Sequence, residues 1–172
     1  EVFLKRAIDI ASRGKYLTKP NPMVGCVIVK DNKIMAEGYH MKYGSNHAEI
    51  NALKNLHENN NISEEELGQL TLYCTLEPCC HHGKTGPCTE AIIKSGIKKV
   101  VIGIKDPNPK VSGSGIKQLE NNDIEVLAGF FKEELIELNK HFFYKNTHKR
   151  PYIGVKIACS ADGMSHRKDN TF

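Results

Sequence analysis

Hydrophobic side chains recur at helical spacing in some stretches of this chain and at strand spacing in others. Before Gly14 the apolar residues fall three and four positions apart, which predicts a helix that ends near this glycine. A dense apolar run over 23–29, a turn at Asp31 and Asn32, and an alternating run over 34–39 then predict a β-hairpin. The chain therefore opens with one helix and two paired strands.

The rest of the chain alternates between predicted helices and predicted strands. Apolar periodicity and capping residues predict helices over 47–56, 88–95, 116–121 and 132–139. Short apolar runs predict strands over 70–76, 99–104, 124–127 and 152–158. This alternation predicts an α/β protein whose sheet has helices on both faces and whose later strands are parallel.

Composition limits the class of protein. The chain has 172 residues, 40% of them hydrophobic, which is enough for one core but not for two full domains. No apolar run approaches the roughly 18 residues that span a bilayer, and charges interrupt the N-terminal stretch, so we expect a soluble, cytoplasmic protein that does not enter membranes. The formal charge of +4 comes from scattered lysines and gives little support for nucleic-acid binding.

Residues with metal-binding chemistry concentrate in two segments. His47 begins one predicted helix, and Cys79 and Cys88 flank the loop that leads into another. One histidine and two cysteines can hold zinc with a fourth position left for water, whose pKa the ion lowers to about 7. Since nothing else in the chain suggests secretion, we interpret the six cysteines as thiols, some of them on metal, and not as three disulfides.

Glu49 follows His47 by two positions, and this spacing separates a carboxylate from a ligand. Residues two apart point to nearly opposite sides of a regular helix, so both do not easily bind one ion. In the first turn, however, the glutamate can lie beside the metal-bound water and carry its proton to a substrate nitrogen. This arrangement is suited to replacing an amine by oxygen on a heteroaromatic ring.

Zinc deaminases share the general signature H-x-E followed by P-C-x-x-C. This chain has the first half at 47–49 and begins the second half at Pro78 and Cys79, but Cys88 lies nine positions beyond Cys79. A nucleoside or tRNA deaminase, which carries the short spacing, is the alternative among enzymes. A zinc-stabilised binding module is the alternative outside enzymes, and its closed site would take a fourth ligand from Cys74, Cys80, His81 or His82.

Three further features lie near these segments. The turn over 106–109 follows a predicted strand, and ligands bind at the carboxyl ends of strands in open α/β sheets. Lys84, flanked by glycine in the cysteine loop, is placed to meet a substrate phosphate. We interpret Glu77 as a structural hydrogen-bond acceptor for that loop and not as a second base.

Seven short motifs extend over nearly the whole chain, at 20–29, 38–40, 47–49, 75–79, 82–85, 87–88 and 106–109. Together they resemble the deaminase half of the bifunctional riboflavin-biosynthesis deaminase/reductase family, and the long-spaced cysteine pair belongs to that branch. The resemblance implies a cytidine-deaminase-like fold, a three-layer α/β/α sandwich with a central mixed five-stranded sheet.

The same resemblance implies a reaction and the residues that perform it. The reaction is the zinc-dependent deamination of 2,5-diamino-6-(5-phosphoribosylamino)pyrimidin-4-one to 5-amino-6-(5-phosphoribosylamino)uracil. By this matching His47, Cys79 and Cys88 are the zinc ligands and Glu49 is the proton shuttle. The motif positions that line the substrate pocket in the family are Asn21, His40, His81, Lys84, Thr85, Asp106 and Asn108.

The resemblance also divides the chain. Residues 1–147 match the deaminase domain, and residues 148–172 match a linker and the first strand of an incomplete reductase domain. The full-length protein is then expected to carry an NADPH-dependent reductase as well. Its partners are expected to be a small phosphoribosylated pyrimidine and further copies of itself, not nucleic acid.

Overall fold

Five strands form one mixed sheet at the centre of the fold. The computed structural model describes residues 1–59, 62–82, 86–108, 111–161 and 163–164. The strands, in chain order, are β1 (Gly25–Lys30), β2 (Lys33–Tyr39), β3 (Thr71–Leu76), β4 (Lys99–Ile104) and β5 (Glu125–Ala128). Their order in the sheet is β2-β1-β3-β4-β5. Strand β1 is antiparallel to both neighbours, whereas β3, β4 and β5 are parallel, as the sequence predicts.

Helices cover both faces of this sheet. They are α1 (Val2–Ala11), α2 (Ala48–Asn59), α3 (Glu64–Leu67), α4 (Cys88–Lys94), α5 (Ser114–Glu120), α6 (Lys132–Leu138) and α7 (Lys140–His148), with a 3₁₀ turn at Ser12–Gly14. The α/β sandwich with a mixed five-stranded sheet is thereby confirmed, whereas α3 and α7 were not predicted.

Strand alternation sends the core to two sides of the sheet. Cys26 and Ile28 of β1 face a cluster formed with α2, α4 and α5, whereas Val27 and Val29 face α1. The hairpin between β1 and β2 turns at Asp31 and Asn32, both with positive φ, which is the geometry that suits a tight two-residue connection.

The strand predicted over 152–158 is not formed. Residues 151–160 have no regular secondary structure, and Ile153, Val155 and Ile157 are 76–79% exposed. A strand needs a neighbour to complete its hydrogen bonds, and no described strand pairs with this segment. The division into a deaminase domain over 1–147 and the start of a reductase domain over 148–172 stays a prediction.

None of the described helices combines the length and the apolarity that a bilayer crossing requires.

Close contact between α2 and β2 determines where the first turn of α2 lies. Gly38 lies against the helix backbone, and a Cβ at this position would clash with backbone atoms of Ala48 and Ala52. Asn51 and Asn55 donate side-chain hydrogen bonds, each of 2.8 Å, to the carbonyls of Tyr39 and Glu37 on β2. The helix that carries Glu49 is therefore held directly on the edge strand.

We expect Gly38→Ala to lower the free energy of unfolding by at least about 2 kcal/mol, because backbone atoms of α2 must move to admit the methyl group. Denaturant unfolding followed by circular dichroism measures this. The matched control is Gly68→Ala, since a Cβ at Gly68 would make only ordinary contacts at 3.7 and 3.9 Å. Equal stability of the two variants would contradict the proposed packing constraint.

Candidate active site

Three side chains with metal-binding atoms meet where β3 ends and where α2 and α4 begin. His47 precedes α2, Cys79 follows β3 and Cys88 is the first residue of α4. The His47 Nδ1 atom lies 3.5 Å from Cys79 Sγ and 3.3 Å from Cys88 Sγ, and all three atoms lie within 4.8 Å of one another. Tetrahedral zinc with ordinary bond lengths separates its nitrogen and sulfur ligands by about 3.5 Å, so this donor set fits the ion.

The side chains considered as a fourth ligand are not part of this group of three within the described residues. Cys74 is buried opposite Cys26 in the sheet. His82 is largely exposed, and its Nε2 lies 3.3 Å from Glu90 Oε1. Three protein donors are one fewer than a structural zinc site normally has, which favours the catalytic interpretation over the closed site.

The pKa values of the two thiols are shifted in opposite directions. A hydrogen bond with Cys88 and another with His47 lower the pKa of Cys79 to about 4, against the effect of burial. The Cys79 sulfur also accepts a hydrogen bond of 3.4 Å from the Cys88 backbone N–H. The pKa of the Cys88 thiol is raised, because it is the donor to Cys79 and is itself buried. A negative charge is thus already stabilised on Cys79 by its neighbours.

Glu49 lies in the first turn of α2 and is only 3% exposed. Burial raises the pKa of its carboxyl group. Its Oε2 atom is buried and has no hydrogen-bond partner among the described residues. Native structures rarely leave a buried carboxylate oxygen unpaired, so this atom points to a partner that comes from outside the protein.

Glu49, His47 and Cys79 line one cavity of about 320 Å³. Five of the predicted substrate residues line the same cavity, namely Asn21, His40, His81, Asp106 and Asn108. The other two, Lys84 and Thr85, lie outside the described residues. Several further residues line the cavity without a predicted role, and they include Val24, Tyr43, Ser45, Val111 and Phe142.

Hydrogen bonds orient His40 on one side of this cavity. Its Nδ1 lies 3.0 Å from the Asn46 carbonyl, which requires Nδ1–H to be the donor. Its Nε2 lies 3.3 Å from the Asn21 side-chain nitrogen. Burial lowers the pKa of His40, which favours the neutral ring, and in this form Nε2 accepts from Asn21. The Asn21 amide is therefore held with its nitrogen toward His40 and its oxygen away from it.

Glu77 also lines this cavity. Its buried carboxylate accepts backbone hydrogen bonds of 2.9–3.3 Å from Asp106, Gly113, Gly115 and Ile116. Glu77 is a structural acceptor, as predicted, but its backbone donors lie over 106–116 and not in the cysteine loop. It joins the end of β3 to the segment after β4 and to the first turn of α5.

Asp106 and Asn108 lie at the carboxyl end of β4, as the sequence predicts. Asp106 Oδ1 accepts a hydrogen bond of 2.7 Å from the Asn108 backbone N–H. Burial raises the pKa of Asp106 to about 6. Because β3 and β4 are parallel, this turn and Cys79 lie at the same edge of the sheet.

Phe142 is a lining residue that the sequence pattern did not predict. It reaches the cavity from α7, a helix that was not predicted. The adjacent aromatic pair at 142 and 143 was a local signal for burial, but it does not indicate which part of the chain it packs against.

Comparison with known proteins agrees with this geometry. The family model of the cytidine and deoxycytidylate deaminase zinc-binding region matches residues 1–104. Riboflavin biosynthesis protein RibD of Actinobacillus pleuropneumoniae is 52% identical over 94% of this chain and 41% of the relative. A diaminohydroxyphosphoribosylamino-pyrimidine deaminase of Buchnera aphidicola is 51% identical over 82% of this chain and 91% of the relative.

A solved structure of RibD from Acinetobacter baumannii matches with a TM-score of 0.89 at 43% identity, over 99% of this chain and 46% of that chain. The chain thus spans less than half the length of the RibD proteins that it matches.

We expect Glu77→Gln to lower the free energy of unfolding by about 3 kcal/mol, because an amide NH₂ would face backbone donors that now share a carboxylate. Urea unfolding of the variant measures the loss. Glu125→Gln, which removes an exposed ion pair with Lys99, is the control and should leave the unfolding midpoint unchanged. A Glu77→Gln variant as stable as this control would refute the structural role.

Proposed function

Since the chain belongs to the cytidine and deoxycytidylate deaminase family, in the branch of diaminohydroxyphosphoribosylaminopyrimidine deaminases, we propose that it catalyses the corresponding step of riboflavin biosynthesis. The substrate is 2,5-diamino-6-(5-phosphoribosylamino)pyrimidin-4-one. Water replaces the amine at ring position 2 to give 5-amino-6-(5-phosphoribosylamino)uracil and ammonia.

One observation carries this proposal. Three donors that fit zinc line or adjoin the same cavity as the buried Oε2 of Glu49, which has no hydrogen-bond partner in the described part of the chain. A structural metal site does not require a buried carboxylate that is not a ligand, whereas a hydrolytic site requires a base beside its water.

His47, Cys79 and Cys88 would hold the zinc ion. When bound there, zinc supplies a Lewis acid that makes water nucleophilic at neutral pH. The charge already stabilised on Cys79 favours cation binding, since thiol ligands must lose their protons to bind metal.

Glu49 moves the protons. It takes one from the attacking water and delivers it to the departing nitrogen while the carbon–nitrogen bond breaks, so that ammonia leaves and the ring keeps the new oxygen. The cavity excludes most bulk water from this carboxylate, because the side chain is almost completely buried.

The walls of the cavity would bind the substrate. Asn21, His40, Asp106 and Asn108 line the cavity and offer polar groups to a heterocycle within it. His81 is exposed at the cavity. We propose Lys84 and Thr85 as further substrate contacts from the family motif alone.

We also propose that the full-length protein carries an NADPH-dependent reductase that begins within residues 148–172, because the RibD relatives are more than twice as long as the matched part. Assembly into homo-oligomers follows from the family resemblance. We propose a cytoplasmic location, where thiol ligands stay reduced.

The direct test is ammonia release from the diaminopyrimidine phosphate by the purified zinc-loaded protein. Chelation should abolish the release, and added Zn²⁺ should restore it. Release from cytidine, or from adenosine in RNA, in place of this substrate would overturn the substrate assignment. Unfolding on chelation, without ammonia release from any of the three, would favour a zinc-stabilised binding module.

We expect Glu49→Gln to keep its zinc but to lower kcat by about 10²- to 10⁴-fold, because glutamine cannot take up a proton. Zinc content by atomic absorption and ammonia release measure the two effects separately. Glu58→Gln, near the other end of α2, is the matched control and should retain full activity. Near-normal turnover of Glu49→Gln would refute the mechanism.

A further inference from the structure

Asn139 joins two parts of the chain that are 116 positions apart in sequence. It stands between α6 and α7 and is only 7% exposed. Its Oδ1 accepts a hydrogen bond of 2.8 Å from the Met23 backbone N–H, and its Nδ2 donates one of 2.8 Å to the Met23 carbonyl. Both backbone groups of Met23 are therefore paired with one side chain.

The segment held in this way forms a wall of the candidate active site. Asn21, Pro22 and Val24 line the cavity that contains Glu49, and Met23 stands between them. The Val24 carbonyl accepts a hydrogen bond of 2.9 Å from the His40 backbone N–H. A shift of Met23 would consequently move the Asn21 side chain and the backbone that carries His40.

Residues 20–24 belong to no helix or strand. Within the described structure, the Met23 backbone does not enter the ladder that begins at Gly25. Without Asn139 the backbone N–H and C=O groups of Met23 would hydrogen-bond to water, and the loop would exchange between conformations. The Asn139 side chain takes the place of a neighbouring strand at this one position.

Asn139 also starts the helix that supplies another lining residue. Its own carbonyl accepts hydrogen bonds from the backbone N–H groups of Phe142 and Phe143, at 2.9 and 3.0 Å. Phe142 lines the cavity. The side chain of Asn139 thus holds the segment that carries Asn21 and Val24. Its carbonyl holds the first turn of α7, which carries Phe142.

We propose that Asn139 is a positioning residue that sets substrate affinity by clamping Met23, and so by holding Asn21 and Val24 in place. The kinetic test of this positioning role rests on the proposed function. Asn139 itself does not line the cavity, so it acts through the loop.

Asn139→Ala should lower kcat/KM by about 10- to 100-fold, because misplacement by about 1 Å of substrate-positioning groups has effects of this size. Most of the loss should appear in KM. Zinc content should be unchanged, since the three donor residues do not contact Asn139 or Met23 in the described hydrogen bonds. Asn146→Ala, which removes a local bond to the Phe142 carbonyl on the same helix, is the matched control.

Hydrogen exchange of the backbone amides of 21–24 gives a readout that does not depend on the substrate. Asn139→Ala should speed this exchange, whereas Asn146→Ala should not. Unchanged exchange or an unchanged KM in Asn139→Ala overturns the proposal. If the wild type releases no ammonia from the diaminopyrimidine phosphate, the proposed function fails, while the exchange data still decide whether the clamp exists.

Asn139→Asp is a second variant that tests the pairing chemistry even if the alanine variant folds poorly. An ionised aspartate would repel the Met23 carbonyl, whereas the protonated acid can both donate and accept. Asn139 lines a second cavity, whose charged and titratable lining groups are Lys15, Tyr16, Lys19, Glu137, Lys140, His141, Lys145 and Tyr152.

Near pH 7 the aspartate of Asn139→Asp is ionised, since the ordinary pKa of an aspartate is about 3.9 and the neighbouring lysines favour the charged form. The carboxylate can still accept from the Met23 N–H but cannot donate to the Met23 carbonyl, so KM should rise above that of the wild type and the amides of 21–24 should exchange faster. An Asn139→Asp variant with the KM and the exchange of the wild type overturns the assignment of a paired donor and acceptor at this position.

Discussion

The meeting of two helix starts with the end of one strand is the constraint on which this site depends. His47, Cys79 and Cys88 come from three separate segments, yet their ligand atoms lie within 4.8 Å of one another. This requires α2 to lie directly on β2, which Gly38 permits, and α4 to begin against Cys79. His47, Cys79 and Glu49 line the cavity at this point.

Two buried glutamates beside it differ in their hydrogen bonds. Four backbone N–H groups donate to the Glu77 carboxylate, and these bonds connect the end of β3 to the segment after β4. Glu49 is equally buried, but its Oε2 has no partner among the described residues. An unsatisfied buried group costs about 1–3 kcal/mol, and folded proteins keep such costs mainly at functional sites. The difference in pairing, not in burial, separates a structural carboxylate from a reactive one.

Local patterns predicted the fold where local chemistry decides it. Asp31 and Asn32 accept the positive φ values of a tight hairpin, and the apolar run of β4 begins and ends where it was predicted. The run over 152–158 misled, because apolar residues suggest a strand whether or not a neighbouring strand exists to pair with it. Helix α7 was not predicted, because its mainly polar sequence lacks a clear apolar face. The contact of Phe142 with the cavity depends on a distant part of the chain, which a local pattern does not indicate.

The candidate site divides in the same way. The residue types and positions of the metal-binding motifs predicted the group of three donors, and the family resemblance predicted five of the residues that line the cavity. Neither predicted Asn139, because a side chain that pairs with a backbone 116 positions away leaves no mark on its neighbours in sequence. Side-chain bonds between distant segments, from Asn139 to Met23 and from Glu77 to Asp106, hold the chain that lines the walls of the cavity, separately from the groups that fit a metal ion. The walls are therefore set by the chain itself, so loss of the ion and loss of a wall contact should affect different steps of catalysis.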